Sequence, residues 1–381
     1  MSDKAKSCTE EKVCWVGFDT LESFMVDVFK GLGVPEEDAR ICAEVLITSD
    51  KRGIDSHGIG RLKHIYYDRI KIGIQEPVTQ FEIIREGPTT AVVDGHHGMG
   101  HVIGHRAMQM AIDKASEYGM GMVAVRNSTH YGIAGYYALM GAEAGMITLN
   151  GSNARPSIAP TFGVENMLGT NPLTFGIPTD DPFPFILDCA TSVSQRGKIE
   201  VYDRAGEEIP AGWVIGADGK TRTDTHQILQ DLIAGKAALA PLGGVGEETG
   251  GYKGYGYATV VEILCSALQG GAFLKGLLGW ENGKRVHYKL GHFFIAIDVN
   301  AFIELDEFKK TTSEILRQLR ASEKSPDAQR IYTAGEKEHL AWQERRDKGA
   351  PINEALMNNM DIMRQELGLT SYTFPWDEEK G

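Results

Sequence analysis

The residues best equipped for chemistry lie in Asp55-Ser56-His57-Gly58-Ile59-Gly60-Arg61. A histidine moves protons near neutral pH. An arginine grips a carboxylate or phosphate through two parallel hydrogen bonds, and glycines let the backbone approach a ligand. His57 and Arg61 are four residues apart, so a helix beginning near Arg61 brings both side chains to one side. The stretch reads as a holder for one end of a small anionic substrate. The competing reading is a helix–turn with an incidental histidine and a surface arginine.

Further candidates are scattered along the chain. His130, in Arg126-Asn127-Ser128-Thr129-His130-Tyr131-Gly132, ends an apolar strand, and strand ends are where sites gather in α/β layers. It competes with a loop histidine bonded to backbone. Asp188 lies inside Phe185-Ile186-Leu187-Asp188-Cys189-Ala190, where an acid is costly unless paired. It orients a histidine, bonds a ribose, or is a structural acid satisfied by backbone amides. The loop from Gly243 to Gly256 holds seven glycines together with Tyr252 and Lys253 and opens a helix. That layout binds phosphate on backbone amides; a lid or a tight packing turn is the alternative. Neither this loop nor Gly98-Met99-Gly100, whose next glycine is Gly104, matches GxGxxG, so a Rossmann domain is not expected. His96, His97, His101 and His105 include two pairs at i,i+4 spacing. Zinc could use two of them, which frames a different class, a metal-dependent hydrolase. With no HExxH and no carboxylate at metal spacing, exposed or capping histidines at a helix start are the plainer reading.

These residues need elements to hold them. Apolar spacing predicts a helix over Phe18 to Gly31 and a second from Pro35, with Glu36, Glu37 and Asp38 in its first turn and Lys51, Arg52 and Gly53 as stop signals. A third runs roughly from Arg61 to Lys71. Strands are expected at 89–93, 121–125, 146–150, 173–177, 185–190 and 293–299, and helices at 102–118, 134–144 and 257–269. Residues 206–224 read as an excursion of turns. From Glu304 onward the pattern is helical, at 304–323, 336–348 and 352–367. Residues 1–13 read as a loose tail.

Composition narrows the class. The chain has 381 residues, 42% hydrophobic and 24% charged, enough for a sizeable core and two or three domains. A net charge of -13 argues against nucleic acid and anionic membrane as partners. Cys8, Cys14, Cys42, Cys189 and Cys265 never form a CxxC pair, which fits a reducing compartment. The N-terminus lacks a signal-peptide pattern, and no apolar run reaches the roughly 18 residues of a membrane span. A cytoplasmic protein is expected.

Five ordered motifs make the chain similar to one family. They are Asp55-Ser56-His57-Gly58 with Arg61; Asn127-Ser128-Thr129-His130-Tyr131-Gly132; Gly169-Thr170-Asn171-Pro172-Leu173; Leu187-Asp188-Cys189-Ala190-Thr191; and Lys253-Gly254-Tyr255-Gly256. Together they resemble the malate/L-lactate dehydrogenase family whose fold is not Rossmann, which also holds enzymes for ureidoglycolate, sulfolactate, diketogulonate and a cyclic imine carboxylate. The resemblance runs from about residue 18 to 368. It implies hydride transfer between NAD(P)H and C2 of a small 2-oxo or 2-hydroxy acid, of malate or lactate type. It also implies a homodimer whose active site draws on both subunits.

Carried over, His57 and His130 are the acid/base candidates, and Arg61 grips the substrate carboxylate with Thr170 beside it. Asp188 serves catalysis or cofactor. Cys189, Ala190, Tyr252, Lys253, Gly254, Gly335 and Glu336 fall to the dinucleotide, with Asn153 reaching it too. The Gly335 segment departs from the family's Pro-Gly pattern, since Ala334 precedes the glycine. NAD is favoured over NADP, and no metal is implied. The expected fold is mixed α/β or α+β: a non-Rossmann, largely antiparallel mixed sheet in a central dinucleotide-binding domain over 81–303. A helical domain built from both chain ends, 1–80 and 304–381, completes it.

Overall fold

The computed structural model describes residues 13–377; of the expected tail over 1–13, only Val13 falls among them. The chain begins with β1 (Val13–Val16), α1 (Phe18–Gly31), α2 (Glu36–Lys51), α3 (Ile59–Arg61) and α4 (Asp68–Lys71). Then come β2 (Glu82–Glu86), β3 (Thr90–Asp94), α5 (Gly100–Tyr118), β4 (Met120–Ser128), α6 (Ala134–Glu143) and β5 (Met146–Ser152). They are followed by β6 (Leu173–Ile177), β7 (Phe185–Cys189), α7 (Arg196–Ala205), β8 (Val214–Gly216), β9 (Thr221–Arg222) and α8 (Thr225–Ala234). Next are β10 (Ala237–Leu239), α9 (Gly251–Leu264), β11 (Trp280–Glu281), β12 (Lys284–Arg285) and β13 (Leu290–Asp298). The last are α10 (Leu305–Ala321), α11 (Glu336–Arg345), β14 (Ala350–Asn353) and α12 (Glu354–Glu366).

Contacts divide the chain into two units, 1–69 with 338–381, and 70–337. In the first, β1 pairs antiparallel with β14, with Val16 opposite Ala350. The helical spacing in α1 buries Leu21, Phe24, Met25, Val28 and Phe29 on one face. Phe24 meets Tyr372 and Phe374 edge-on at 5.3 and 5.4 Å. The Tyr67 hydroxyl donates to Glu366 at 2.6 Å. The single helix expected from Arg61 to Lys71 is interrupted by a π-helical turn, Leu62–Tyr67, which buries Leu62, Tyr66 and Tyr67. Such wide turns concentrate at functional sites.

The second unit is built on a seven-stranded sheet in the order β2-β3-β4-β13-β5-β6-β7. β3 and β4 run parallel, and the other neighbours are antiparallel. The fold is therefore mixed α+β with a largely antiparallel sheet, as expected. α5 supplies the crossover that the parallel pair requires. It packs closely: a Cβ on Gly121 in β4 would fall 2.1 Å from the carbonyl oxygen of Ala111 in α5. The central strand β13 carries Phe293, Phe294 and Ala296, all buried.

The stretch 206–224, expected as turns, contains β8 and β9. With β10 they form a small sheet over a core that includes Ile199, Ile209, Val214 and Ile228. Strands of two or three residues carry too little alternation to be read from sequence. α10, grouped by its pattern with the C-terminal helices, falls in the sheet unit. Its buried Ser313 hydroxyl accepts the Asp180 N–H at 2.9 Å, and Arg317 and Arg320 pair with Asp181.

Candidate active site

The His57 turn belongs to the helical unit. α2 ends at Lys51, and Gly53 adopts left-handed backbone (φ 74°) that reverses the chain. The Ile54 N–H donates to Ser49 O at 2.9 Å, the His57 N–H to Ile54 O at 3.0 Å, and the Arg61 N–H to Gly58 O at 2.9 Å. The Ser56 hydroxyl lies 2.8 Å from His57 Nδ1 and occupies that nitrogen. Arg61 Nε donates to the Ser56 carbonyl. One edge of the guanidinium is thus tied to the turn, leaving the opposite fork for a carboxylate. Burial, and then the neighbouring Arg61 cation, push the His57 imidazole down to about 4. It is therefore neutral at neutral pH.

His130 lies in the sheet unit, in the loop between β4 and α6, where its Nδ1 accepts the Gly132 N–H at 3.3 Å. Its neighbours anchor it. The buried Thr129 hydroxyl donates to Gly98 O at 2.8 Å and accepts the Gly100 N–H at 2.9 Å. Tyr131 stacks on His292 with ring centroids 4.4 Å apart and planes within 1°. His292 is itself fully buried, with Nδ1 2.9 Å from Ser152 Oγ and Nε2 2.8 Å from Ser128 Oγ. Burial lowers it to about 3, so it is a neutral strut behind the loop.

Backbone hydrogen bonds gather three of the distant motifs at the end of β7. The Thr191 N–H donates to Thr170 O at 2.9 Å, and the Leu242 N–H to Thr191 O at 2.8 Å. Gly254 lies against Leu242 so tightly that a Cβ would fall 2.2 Å from its carbonyl oxygen. Thr170, Cys189, Ala190, Lys253 and Gly254 therefore share one neighbourhood. Cys189 sits in β7 opposite Leu173. Tyr252 and Lys253 are exposed on the first turn of α9, with the Lys253 ammonium 5.8 Å from the Tyr252 ring centroid. The Ser192 hydroxyl at the same junction is buried and has no hydrogen-bond partner. A cation, a helix N-terminus and a spare hydroxyl are the donor set a pyrophosphate needs, so the junction fits a dinucleotide. Many of the loop's glycines also serve packing, since Gly251 would likewise collide with Gly244 O.

Asp188 is exposed on the edge strand. One oxygen accepts the Gly135 N–H at 2.7 Å, in the first turn of α6, and the other faces the Thr174 hydroxyl at 3.3 Å. Gly335 packs beside the start of β7, where a Cβ would fall 2.6 Å from Pro184 O. Glu336 is 3% exposed, pairs with Arg330 and accepts the Thr333 N–H at 3.1 Å, closing its own turn. Asn153 is buried too: its side chain accepts the Gly291 N–H at 2.8 Å and donates to Ala272 O at 3.4 Å. Those bonds favour a structural tie over cofactor contact for Glu336 and Asn153.

The four histidines at 96–105 occupy separate settings. His96 Nε2 is 2.6 Å from the Glu82 carboxylate, and His97 stacks on His287. His101 is buried rather than exposed, and His105 Nδ1 is 3.2 Å from the Tyr136 hydroxyl. Among the described residues, no group of three or more His, Cys, Asp or Glu is arranged to hold a metal. Sequence reasoning missed Ser56 as the partner of His57. It also missed Glu262, a buried acid on α9 that accepts Asn171 Nδ2 and the Leu274 N–H, both at 2.8 Å. Burial raises its carboxyl above the usual range. An acid within an otherwise apolar helix was the available signal.

Comparison with known proteins bears on this arrangement. The profile of the malate/L-lactate dehydrogenase family matches residues 16–361. A malate dehydrogenase of Pyrococcus horikoshii is 44% identical over 364 residues, covering 96% of this chain and 98% of that protein. An L-sulfolactate dehydrogenase of Methanocaldococcus jannaschii is 38% identical over 348 residues, covering 91% and 96%. The crystal structure of malate dehydrogenase from Entamoeba histolytica superposes with a TM-score of 0.91 at 45% identity, covering 96% and 100%.

Proposed function

Because the chain belongs to the malate/L-lactate dehydrogenase family, we propose that it interconverts malate and oxaloacetate with NAD. It is an oxidoreductase acting on a 2-hydroxy acid, of a nicotinamide-nucleotide-dependent family. What carries the residue assignment is the His57 turn, where Ser56 links a neutral imidazole and a guanidinium. Malate is favoured by 44% identity to a malate dehydrogenase against 38% to a sulfolactate dehydrogenase. NAD is favoured because a ureidoglycolate dehydrogenase of Escherichia coli, 27% identical over 334 residues, is named for NAD(+).

In the oxidation direction, Arg61 holds the C1 carboxylate and fixes the face that C2 presents. His57 Nε2 takes the C2 hydroxyl proton as the C–O bond gains carbonyl character. When bound, the oxidised nicotinamide would supply the acceptor for the hydride of C2. In reduction the developing alkoxide needs a proton, and His57, neutral in the free enzyme, supplies it only once it has been protonated in the substrate complex, a contribution of roughly 10²–10⁴ in rate. His130 is the alternative proton donor, with His57 then orienting substrate. Lys253 would hold the pyrophosphate, and Tyr252, Gly254, Cys189 and Ala190 would shape its surroundings. Thr170 is assigned to substrate binding by the family resemblance.

The chain is further proposed to be cytoplasmic and homodimeric. Among the described residues, Cys14, Cys42, Cys189 and Cys265 are free thiols, which suits a reducing compartment. Among the described residues no helix is long and apolar enough to cross a membrane. Along and just after α9, Tyr257, Val260, Ile263 and Leu268 are each about half exposed, a surface of the kind an oligomer covers.

The test is a panel of 2-oxo acids and imines assayed with NADH and NADPH by absorbance of the reduced nicotinamide. The panel contains oxaloacetate, pyruvate, sulfopyruvate, a diketo acid and a cyclic imine carboxylate, with ureidoglycolate run in the oxidation direction. Oxaloacetate with NADH is expected to be fastest. No nicotinamide turnover with any member, or stoichiometric zinc in the purified protein, would overturn the reading.

A further inference from the structure

Two residues with no part in the chemistry brace the turn that carries His57 and Arg61. Asp50 lies in the last turn of α2 and is 1% exposed. One carboxyl oxygen accepts the Ile59 N–H at 2.8 Å, the first amide of α3, so the acid caps the short helix that contains Arg61. The carboxyl also fills the space beneath Gly58: a Cβ there would fall 1.9 Å from Asp50 Oδ1 and 2.3 Å from Oδ2. No side chain fits between them. From the other side, Arg345 near the end of α11 donates to the Asp50 carbonyl oxygen at 3.0 Å. Through both terminal nitrogens it also grips the Asp55 carboxylate, the bidentate geometry that fixes orientation as well as distance. α11 touches the same turn again at Gly53, where a Cβ would fall 2.9 Å from the Ala341 Cβ.

We propose that Asp50 and Arg345 are positioning residues that set His57 and Arg61 for the reaction. Asp50 does so through the Ile59 amide and its fit against Gly58, and Arg345 through Asp55. The assignment rests on the proposed roles of His57 and Arg61 in 2-oxo acid reduction. A hydrogen bond and a steric fit define Asp50's part, so shape and an acceptor oxygen matter more than charge. Asp50→Asn keeps both. Asp50→Ala loses both but opens the space a methyl group at Gly58 would need. Gly58→Ala alone drives the turn and the carboxyl apart.

The experiment measures kcat and KM for oxaloacetate with NADH, NADH affinity by fluorescence, and melting temperature. It covers Asp50→Ala, Asp50→Asn, Gly58→Ala, the Asp50→Ala/Gly58→Ala double variant and Arg345→Met. The ¹H–¹³C imidazole signal of His57, identified by its loss in His57→Gln, is followed in parallel as a readout that needs no turnover. Gly58→Ala is expected to lower kcat by about a hundredfold, the scale of a misplacement of roughly 1 Å, and to displace the His57 signal. NADH affinity stays put. Asp50→Asn keeps the wild-type signal and most of the turnover. The double variant recovers much of what Gly58→Ala alone loses, and Arg345→Met displaces the His57 signal. If oxaloacetate proves not to be a substrate, the reaction reading fails while the His57 signal still decides the brace. A double variant no better than Gly58→Ala, or a His57 signal unmoved by Gly58→Ala and Arg345→Met, would overturn the proposal.

Discussion

Lowering the pH from 8 to 5.5 should leave kcat/KM for malate oxidation nearly unchanged. In this direction His57 must be neutral, and kcat/KM for malate reports the enzyme form that malate meets. With its imidazole held at about 4 by burial and Arg61, about 97% of the enzyme keeps a neutral His57 at pH 5.5, against about 9% for a histidine titrating at 6.5. The two cases differ roughly tenfold in rate, which an initial-rate series at saturating NAD resolves easily. Arg61→Gln removes the second of the two causes, so its acid limb moves upward but stays below that of an ordinary histidine because burial remains. An acid limb centred near 6.5 in the unmodified protein would refute the environment assigned to His57. A limb that Arg61→Gln leaves in place would transfer the proton to another group, with His130 the first candidate.

Three further outcomes follow from the same geometry. Arg61→Ala is expected to raise KM for oxaloacetate more than it lowers kcat, by a loss of about 1.5–3 kcal/mol for hydrogen bonds to a charged group; an unchanged KM would remove the clamp. Lys253→Ala should weaken NADH about tenfold in calorimetry, a typical loss for one charge-assisted contact, and wild-type affinity would remove Lys253 from the cofactor site. Asp50 is raised from 3.8 to about 8, chiefly by burial, then adjusted by the Ile59 N–H, Asp55 and Arg345. The folded chain therefore keeps a proton that the unfolded chain releases, and stability falls as pH rises through that window. Asp50→Asn lacks this limb, so its melting temperature relative to wild type should climb between pH 5 and pH 8; a difference flat with pH would contradict the raised carboxyl.

Much of this was legible because the signals are local. The α1 stripe from Leu21 to Phe29 and the stop at Lys51, Arg52 and Gly53 are short-range patterns, and the structure follows them. The ordered motifs around His57, His130 and Asp188 carried the family assignment. What escaped depends on partners far apart in the chain. Asp50 reads as one more acid in a helix until Gly58 and Ile59 close over it. Nothing in the sequence near Asp55 announces Arg345, 290 residues away. β1 and β14 are four residues each and pair across nearly the whole chain, so neither shows alone. The helix expected over 257–269 begins instead at Gly251, because glycines that weaken a helix interior are needed here for close approach to Leu242 and Gly244.

The central claim is hydride transfer to C2 of a 2-oxo acid, and isotope placement tests it most directly. NADH carrying deuterium at the transferable position of C4 is mixed with oxaloacetate and the protein, and the malate formed is examined by mass and proton NMR. The account predicts one deuterium per malate, bound at C2, with formation sharply slowed in His57→Gln while NADH still binds. Malate free of label at C2, or no oxidation of NADH by a correctly folded protein, would contradict it.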